Sequence, residues 1–315
     1  MAKSKIQFQA GMSFDNFMAE YGTEEQCERA VYEMKWGEGF SCPKCGYESC
    51  CMIRSGERTL YQCSKCRHQA SVKADTIFES TKLPLRKWFQ GMYFLTQGKQ
   101  GISALDLKRK LGVNYNTAYL MKMKLMSVMK DREETKQLSG TVEMDDAYMG
   151  GENRGGKRGR GSENKSPFIA AVSKIEGRPM KAKLMMISSF CKEAVEELMN
   201  KHFVAGETEF ITDGLNCFSG IDQTKFKHTS FVVSAEKGRK SVDMEEFNWV
   251  NTILGNLKNF LRGTFHAIDS AHGQKYLAEF QYRFNRRTDL PSMMPRLLFS
   301  CVKSYPKPWR ILKIA

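Results

Sequence analysis

Residues 140–151 read GTVEMDDAYMGG: an alternating apolar run, then two adjacent carboxylates, Asp145 and Asp146, then a glycine pair. Alternation of this kind predicts a half-buried β-strand. Successive side chains on a strand point to opposite faces, so at most one of the two aspartates points directly into any shared site. Periodicity does not say which, because both faces of a central strand can be covered.

The segments downstream of this run decide the fold. The basic ENRGGKRGRGSENKS leads to strand-like PFIAAVSKI and KAKLMMISSF, then to a helical pattern, KEAVEELMNKHF, and to a buried-type strand, TEFITDG, ending on Asp213. Three strands, a helix and a further strand, with carboxylates closing the first and fourth strands, predict an α/β layer fold of the ribonuclease H type. Such a fold sets those two strands side by side, so Asp145 and Asp213 converge although 68 positions separate them. Convergent carboxylates can hold two divalent ions that clamp the attacking and leaving oxygens of a phosphodiester. Hard oxygen ligands suit Mg²⁺ or Mn²⁺. Asp and Gly also form ordinary turns, so TDG alone carries little weight.

The chain's composition alone does not decide between a nucleic-acid-binding protein and a merely soluble basic one. Its 315 residues allow about two domains with small extras, and 49 lysines and arginines against 35 acids give a formal charge of +14, which suits a polyanionic partner. The N-terminus lacks a continuous apolar segment and no window approaches a membrane span, so the expectation is a soluble protein that stays inside the cell. In that compartment ten cysteines stay mostly reduced. CPKC supplies Cys42 and Cys45, CSKC supplies Cys63 and Cys66, and 17 residues separate the pairs. Two such turns aim four thiolates at one point and make a closed, structural Zn²⁺ site. Cys50, Cys51 and His68 lie nearby without that spacing. The intervening RSGERTLYQC and the subsequent HQASVKADTIF alternate as the short strands of a zinc ribbon do.

Before the ribbon, NFMAEYGTEEQCERAVYEMKW predicts an amphipathic helix packing on it. After it, apolar spacing predicts one helix carrying Trp88, Phe89, Met92, Phe94 and Leu95 and another carrying Leu105, Leu107 and Leu111. LGVNYNTAY then offers a turn at Gly112, a cap at Asn114 or Asn116, and a helix from about Thr117, the pattern of a helix-turn-helix. Its second helix would present Asn114, Tyr115, Asn116, Tyr119 and Lys122 to a DNA groove. A plain helical hairpin is the alternative.

Residues 241–287, SVDMEEFNWVNTILGNLKNFLRGTFHAIDSAHGQKYLAEFQYRFNRR, complete a set of motifs. With TIFESTKLPLRKWF, VEMDDAYMGGENRGGKRGRG, ITDG, NTILGNLK, GTFH and YLAEFQYRFNRR in this order, the chain resembles bacterial insertion-sequence transposases of the zinc-ribbon DDE type, the ISXO2-like or IS1595 family. The likeness runs from WGEGFSCPKCG to YRFNRR. It implies a ribonuclease H-like catalytic domain, two catalytic metal ions, and transfer of 3′ ends of a mobile element into target DNA. It also implies that Asp145 and Asp213 are catalytic ligands, with Asp146 where relatives often carry glutamate. Many relatives have a glutamate seven residues before a lysine on the late helix. Here those positions are Asn251 and Lys258, as in a branch of the family with asparagine there. Positions seven apart differ by only about 20° around a helix, so the two share a face. Asn251 can offer a carbonyl oxygen to the metal and Lys258 can neutralise a phosphate. Glu245 and Glu246 are candidate substitutes for the missing charge, and His266 in GTFH has no assigned role.

The expected organisation is a helical segment over 1–36, the ribbon over 37–82, a helix-turn-helix region over 83–135, the ribonuclease H-like domain over 138–300 and a tail over 301–315. Partners implied are double-stranded DNA, as terminal inverted repeats and target, and a second copy of the chain. The NRGGKRGRG loop and the Arg283–Arg287 cluster offer further phosphate contacts. A catalytically inactive or domesticated transposase acting as a zinc-ribbon DNA-binding regulator is the other reading, kept open by Asn251.

Overall fold

The computed structural model describes residues 5–56, 58–150, 166–231, 244–265 and 268–314. The NRGGKRGRG loop and His266 lie outside these described residues. The chain divides into two compact units, Met1–Val128 with Thr288–Ile314, and Met129–Arg287.

The first unit begins with two short helices where the sequence predicts one. α1 (Phe14–Tyr21) starts on Ser13, whose hydroxyl accepts from the Asn16 N–H, and α2 (Glu24–Trp36) starts on a reciprocal capping box between Thr23 and Gln26. Three antiparallel strands come next, β1 (Cys50–Ser55), β2 (Arg58–Cys63) and β3 (Gln69–Ala70). Residues after 70 turn rather than extend. As expected, α2 packs on this ribbon: Tyr32 and Trp36 meet Tyr61, with ring centroids 4.8 and 5.4 Å apart.

Beyond the ribbon lie α3 (Leu85–Gln97), α4 (Ala104–Leu111) and α5 (Tyr115–Glu134). Leu107 and Leu111 are buried on α4, whereas Leu105, on the opposite side, is exposed. α4 ends at Gly112, whose φ of 65° lies in the left-handed region that favours glycine, and the Asn114 side chain caps Thr117 at the start of α5. Lys122 departs from the expectation. It is 1% exposed and its ammonium donates to the Ile102 carbonyl at 2.6 Å, so it does not face a groove. The middle of α5 is buried all round, and periodicity cannot nominate an outward face on such a helix. α9 (Met293–Lys303) also belongs to this unit: the Ile77 N–H donates to the Cys301 carbonyl. The α/β unit therefore ends at 287 rather than 300, because the apolar face of α9 (Met294, Leu297, Leu298, Cys301) is buried in the first unit.

The second unit is built on β4 (Leu138–Met149), β5 (Ser166–Ile175), β6 (Arg178–Met186), β7 (Phe203–Asp213) and β8 (Lys227–Phe231), in the order β6-β5-β4-β7-β8. β4, β5 and β6 pair antiparallel, whereas β7 runs parallel to both β4 and β8. This is ribonuclease H topology, as the strand and helix order predicts. α6 (Lys192–His202) connects β6 to β7 and buries Val195 and Met199 with Val142, Met144 and Phe210 on one face of the sheet. On the other face α7 (Asn248–Thr264) buries Val250, Ile253, Leu254 and Leu257 with Ala170, Val172 and Leu184.

α8 (Gly273–Phe284) lies along the β6 edge and replaces a missing strand with side-chain amides. Gln274 accepts from Met186 N and donates to Leu184 O, Gln281 accepts from Leu184 N, and Asn285 bonds both N and O of Ala182, at 2.7 to 3.0 Å. Gln281, Asn285 and Arg286 also converge on the buried Glu133 carboxylate. Burial pushes that carboxyl up, but the Arg286 guanidinium and both amides outweigh it and hold Glu133 below the usual range. Arg286 is buried and Arg287 donates to the carbonyls of Met180, Pro179 and Phe284. The RFNRR cluster therefore holds the fold together instead of forming a free phosphate-binding surface.

His202, at the end of α6, is 4% exposed, and its Nδ1 has no partner among the described residues. Burial, with Lys183 and Lys201 adding to it, pulls its pKa from 6.5 down to about 3. Between those values the unfolded chain binds a proton that the folded chain refuses, so stability is present above pH 6.5 and is lost as pH falls. The slope approaches about 1.4 kcal/mol per pH unit for one proton. A His202→Leu variant should show a flatter acid limb than wild type in a pH series of thermal melts.

Candidate metal centres

The ribbon holds four thiols in two matching turns. In the first, Cys42 N donates to Tyr47 O and Gly46 N to Cys42 O; in the second, Cys63 N donates to His68 O and Arg67 N to Cys63 O. Gly46 and Arg67 both adopt positive φ, 70° and 59°, which curls each turn around its cysteine pair. The sulfurs of Cys42, Cys45, Cys63 and Cys66 come within 4.8 Å of one another. Cys42 to Cys66 is 3.6 Å and Cys45 to Cys63 is 3.7 Å. Zn–S bonds of about 2.3 Å place the sulfurs of a tetrahedron roughly 3.8 Å apart, so the set fits structural zinc and leaves no position for substrate. All ten cysteines are free thiols. Among the described residues Cys50, Cys51 and His68 do not join the cluster, and His68 serves the turn through its backbone carbonyl.

The second centre sits where the β4–β7 ladder ends; β7 stops at Asp213, whereas β4 continues to Met149, so Asp145 lies inside its strand rather than at the end the sequence predicts. Parallel pairing sets Met144 beside Thr212, which brings Asp145 and Asp213 to adjacent positions. Val142, Met144 and Phe210 face α6, whereas Met149 and Ile211 pack among the residues of the α7 face. By alternation Asp145 and Asp213 therefore share the α7 side of the sheet. Asp146 departs from the expectation of a single inward aspartate: carboxylate oxygens of Asp145, Asp146 and Asp213 all lie within 4.8 Å of one another. Strand alternation separates adjacent side chains at the Cβ, yet beyond the last β4–β7 pair, Met144 with Thr212, the carboxylate oxygens of neighbouring residues still meet. Asp145 Oδ1 also accepts from the Asp146 N–H at 2.9 Å. All three residues are half-buried. Oxygen donors at this spacing suit a hard divalent cation. Glu245 and Glu246 are not part of the cluster.

Asn251 and Lys258 both lie on α7, flanking its buried stripe, with Asn251 half-buried and Lys258 exposed. What fixes that helix is Glu143, a residue to which the sequence alone assigns no role. Glu143 is 0% exposed; its Oε2 accepts from the Trp249 and Val250 N–H groups at 2.8 and 2.9 Å, and its Oε1 pairs with Lys174 Nζ at 3.0 Å. The same alternation that puts Asp145 on the α7 side puts Glu143 there too, and a carboxylate on a face covered by a helix is the one signal the sequence offers for it.

A ribonuclease H-like domain with carboxylates gathered where the ladder between β4 and β7 ends, in a chain that also carries a four-cysteine ribbon, is the architecture defined by these residues. The family comparisons agree. Residues 137–285 match the ISXO2-like transposase domain and residues 22–69 match the transposase zinc-ribbon domain, together more than half of the chain. The chain belongs to this family of zinc-ribbon transposases. It is 27% identical over 146 residues to an uncharacterized protein in transposable element ISH50 of Halobacterium salinarum, covering 45% of this chain and 48% of that one. The chain thus spans about half the length of the curated relative it matches. Solved structures found similar include the Mos1 transposase paired-end complex with left transposon end, at 10% identity over 69% of this chain and 78% of that one, TM-score 0.21. The Mos1 mariner paired end complex with Mn is similar at 10% identity over 72% and 90%, also at 0.21. No described helix is long and apolar enough to cross a membrane.

Purified protein should carry one zinc per chain by atomic absorption. Cys63→Ser should lower that content and expose Trp36, read as a red shift of tryptophan fluorescence.

Proposed function

We propose that this chain is a DNA transposase that cleaves the 3′ ends of its element and joins them to target DNA. The observation that carries this reading is the convergence of Asp145, Asp146 and Asp213 at the end of the ladder between two parallel strands. Three carboxylates that close repel one another strongly, and a cation among them removes the penalty. Mg²⁺ or Mn²⁺ suits the donor set, and a pair of such ions supplies the charge that stabilises the attacking and leaving oxygens of a phosphodiester.

In this reading Asp145 and Asp213 are the principal ligands and Asn251 offers a carbonyl oxygen. Asp146 restores the negative charge that asparagine lacks at position 251, and Lys258 neutralises a phosphate of the bound strand. Water is the nucleophile in cleavage, and the liberated 3′ hydroxyl is the nucleophile in joining. Each step exchanges one P–O bond for another, so no covalent enzyme intermediate is required.

Recognition of the terminal repeats falls to the ribbon and to α4 and α5, read as a helix-turn-helix. The exposed residues at the start of α5 are Asn114, Tyr115 and Asn116, with Tyr119 partly exposed one turn on. Lys108 and Arg109 stand exposed on the last turn of α4, placed for phosphate. Two ends must be processed together, so the working form is a dimer or larger assembly on DNA. Asn251 also favours a second reading, a DNA-binding regulator without chemistry.

Incubating the protein with element-end DNA and Mg²⁺ or Mn²⁺ should yield 3′ cleavage and joined products in wild type, and none in Asp145→Asn or Asp213→Asn. DNA binding without products in wild type would favour the regulator. Arg109→Ala should weaken binding to all sequences alike and reduce the log–log salt slope by about 0.9.

A further inference from the structure

The sheet carries a second carboxylate device beneath α7. A helix leaves its first amides without intrahelical acceptors, and they are usually capped by a side chain just before the helix. α7 has no such cap: Phe247 precedes it and makes no side-chain cap bond. Its first turn is instead held by Glu143, more than 100 positions earlier in the chain, on the strand that carries Asp145. Residues i and i+2 of a strand lie roughly 6.6 Å apart on one face. The anchor for α7 is thus set one strand repeat from Asp145, and the anchored amides, Trp249 and Val250, immediately precede Asn251.

We infer that Glu143 is a positioning residue of the active site, which sets the depth of α7 against β4 so that Asn251 reaches the metal shared by Asp145 and Asp213. The inference rests on the transposase reading proposed for this chain. An asparagine side chain is short, with its carbonyl oxygen only three bonds from Cα, so the helix that bears it must be held close to a shared metal. A cap within the preceding loop would stabilise α7 equally well but would index it to that loop. A cap from β4 indexes it to the strand of Asp145. Lys174, on β5, pairs with the other oxygen of Glu143 and keeps its charge from being buried alone. Glu143 itself is committed to α7 and Lys174 and is not a metal ligand.

The test reads metal binding directly, by Mn²⁺ titration of the DNA-free protein with electron paramagnetic resonance. Glu143→Gln should raise the Mn²⁺ dissociation constant by about tenfold or more, the usual effect of removing a group that orients a ligand. Asn251→Ala should weaken Mn²⁺ as well, and the double variant should be no weaker than the weaker single one, since both act through one contact. Unchanged Mn²⁺ affinity in Glu143→Gln, or fully multiplicative effects, would overturn the inference. Should Glu143→Gln fail to fold, Lys174→Met and hydrogen exchange on wild type take its place. Lys174→Met should weaken Mn²⁺ in the same direction, and the Trp249 and Val250 amides should exchange as slowly as those inside the helix. Rapid exchange at both, or a Lys174→Met protein with wild-type Mn²⁺ affinity, would reject it. Asp145→Asn is the separate control: if it binds Mn²⁺ like wild type, the metal-centre reading fails whatever Glu143 does.

Discussion

Parallel hydrogen bonding between β4 and β7 is the constraint on which the site depends. Parallel strands cannot be joined by a hairpin, so the chain must leave β4, build two antiparallel strands outward, and return through α6 before β7 can be laid down. That detour separates Asp145 from Asp213 in sequence and makes them neighbours in space. It also opens one face of the sheet for α7, the element that carries Asn251 and Lys258. Loosening this one pairing would scatter the carboxylates, because the β4–β7 ladder is what ties position 145 to position 213.

Several charged groups inside the two units are spent on backbone as well as on one another. Glu24 accepts from the Leu85 and Arg86 amides at the start of α3, as Glu143 does at the start of α7. Lys183 donates to the carbonyls of Glu133 and Lys136, and burial pulls its ammonium down to about 8. Arg287 does similar work at the beginning of β6. Helix ends and strand edges leave polar groups that must be paired once buried. In this molecule, acids on other elements meet N-termini and bases meet carbonyls, in the sense favoured by the helix dipole.

The ribbon is legible in the sequence because CxxC spacing is local: geometry within four residues fixes the thiols, and no knowledge of the rest of the fold is needed. The ribonuclease H-like topology is legible because the element order agrees and Asp213 closes its strand, although β4 runs on past Asp145 to Met149. Lys122, the RFNRR cluster and α9 escape such a reading for a common reason. Residue type and position in the chain suggest one role for each, whereas each has a partner distant in sequence: Ile102 for Lys122, Glu133 for Arg286, Ile77 for Cys301. Asp146 differs for another reason. Alternation describes Cβ directions along a strand, and it does not fix where the carboxylate oxygens of Asp146 come to lie.

The row of amides on α8 has a consequence for assembly. A sheet edge with unpaired N–H and C=O groups is an invitation for another chain to add a strand. Gln274, Gln281 and Asn285 occupy those groups along β6, at Ala182, Leu184 and Met186. Copies of this chain therefore cannot join by continuing one sheet into the next through β6. Any contact between copies on this side of the sheet has to be made by side chains of α8 rather than by an added strand.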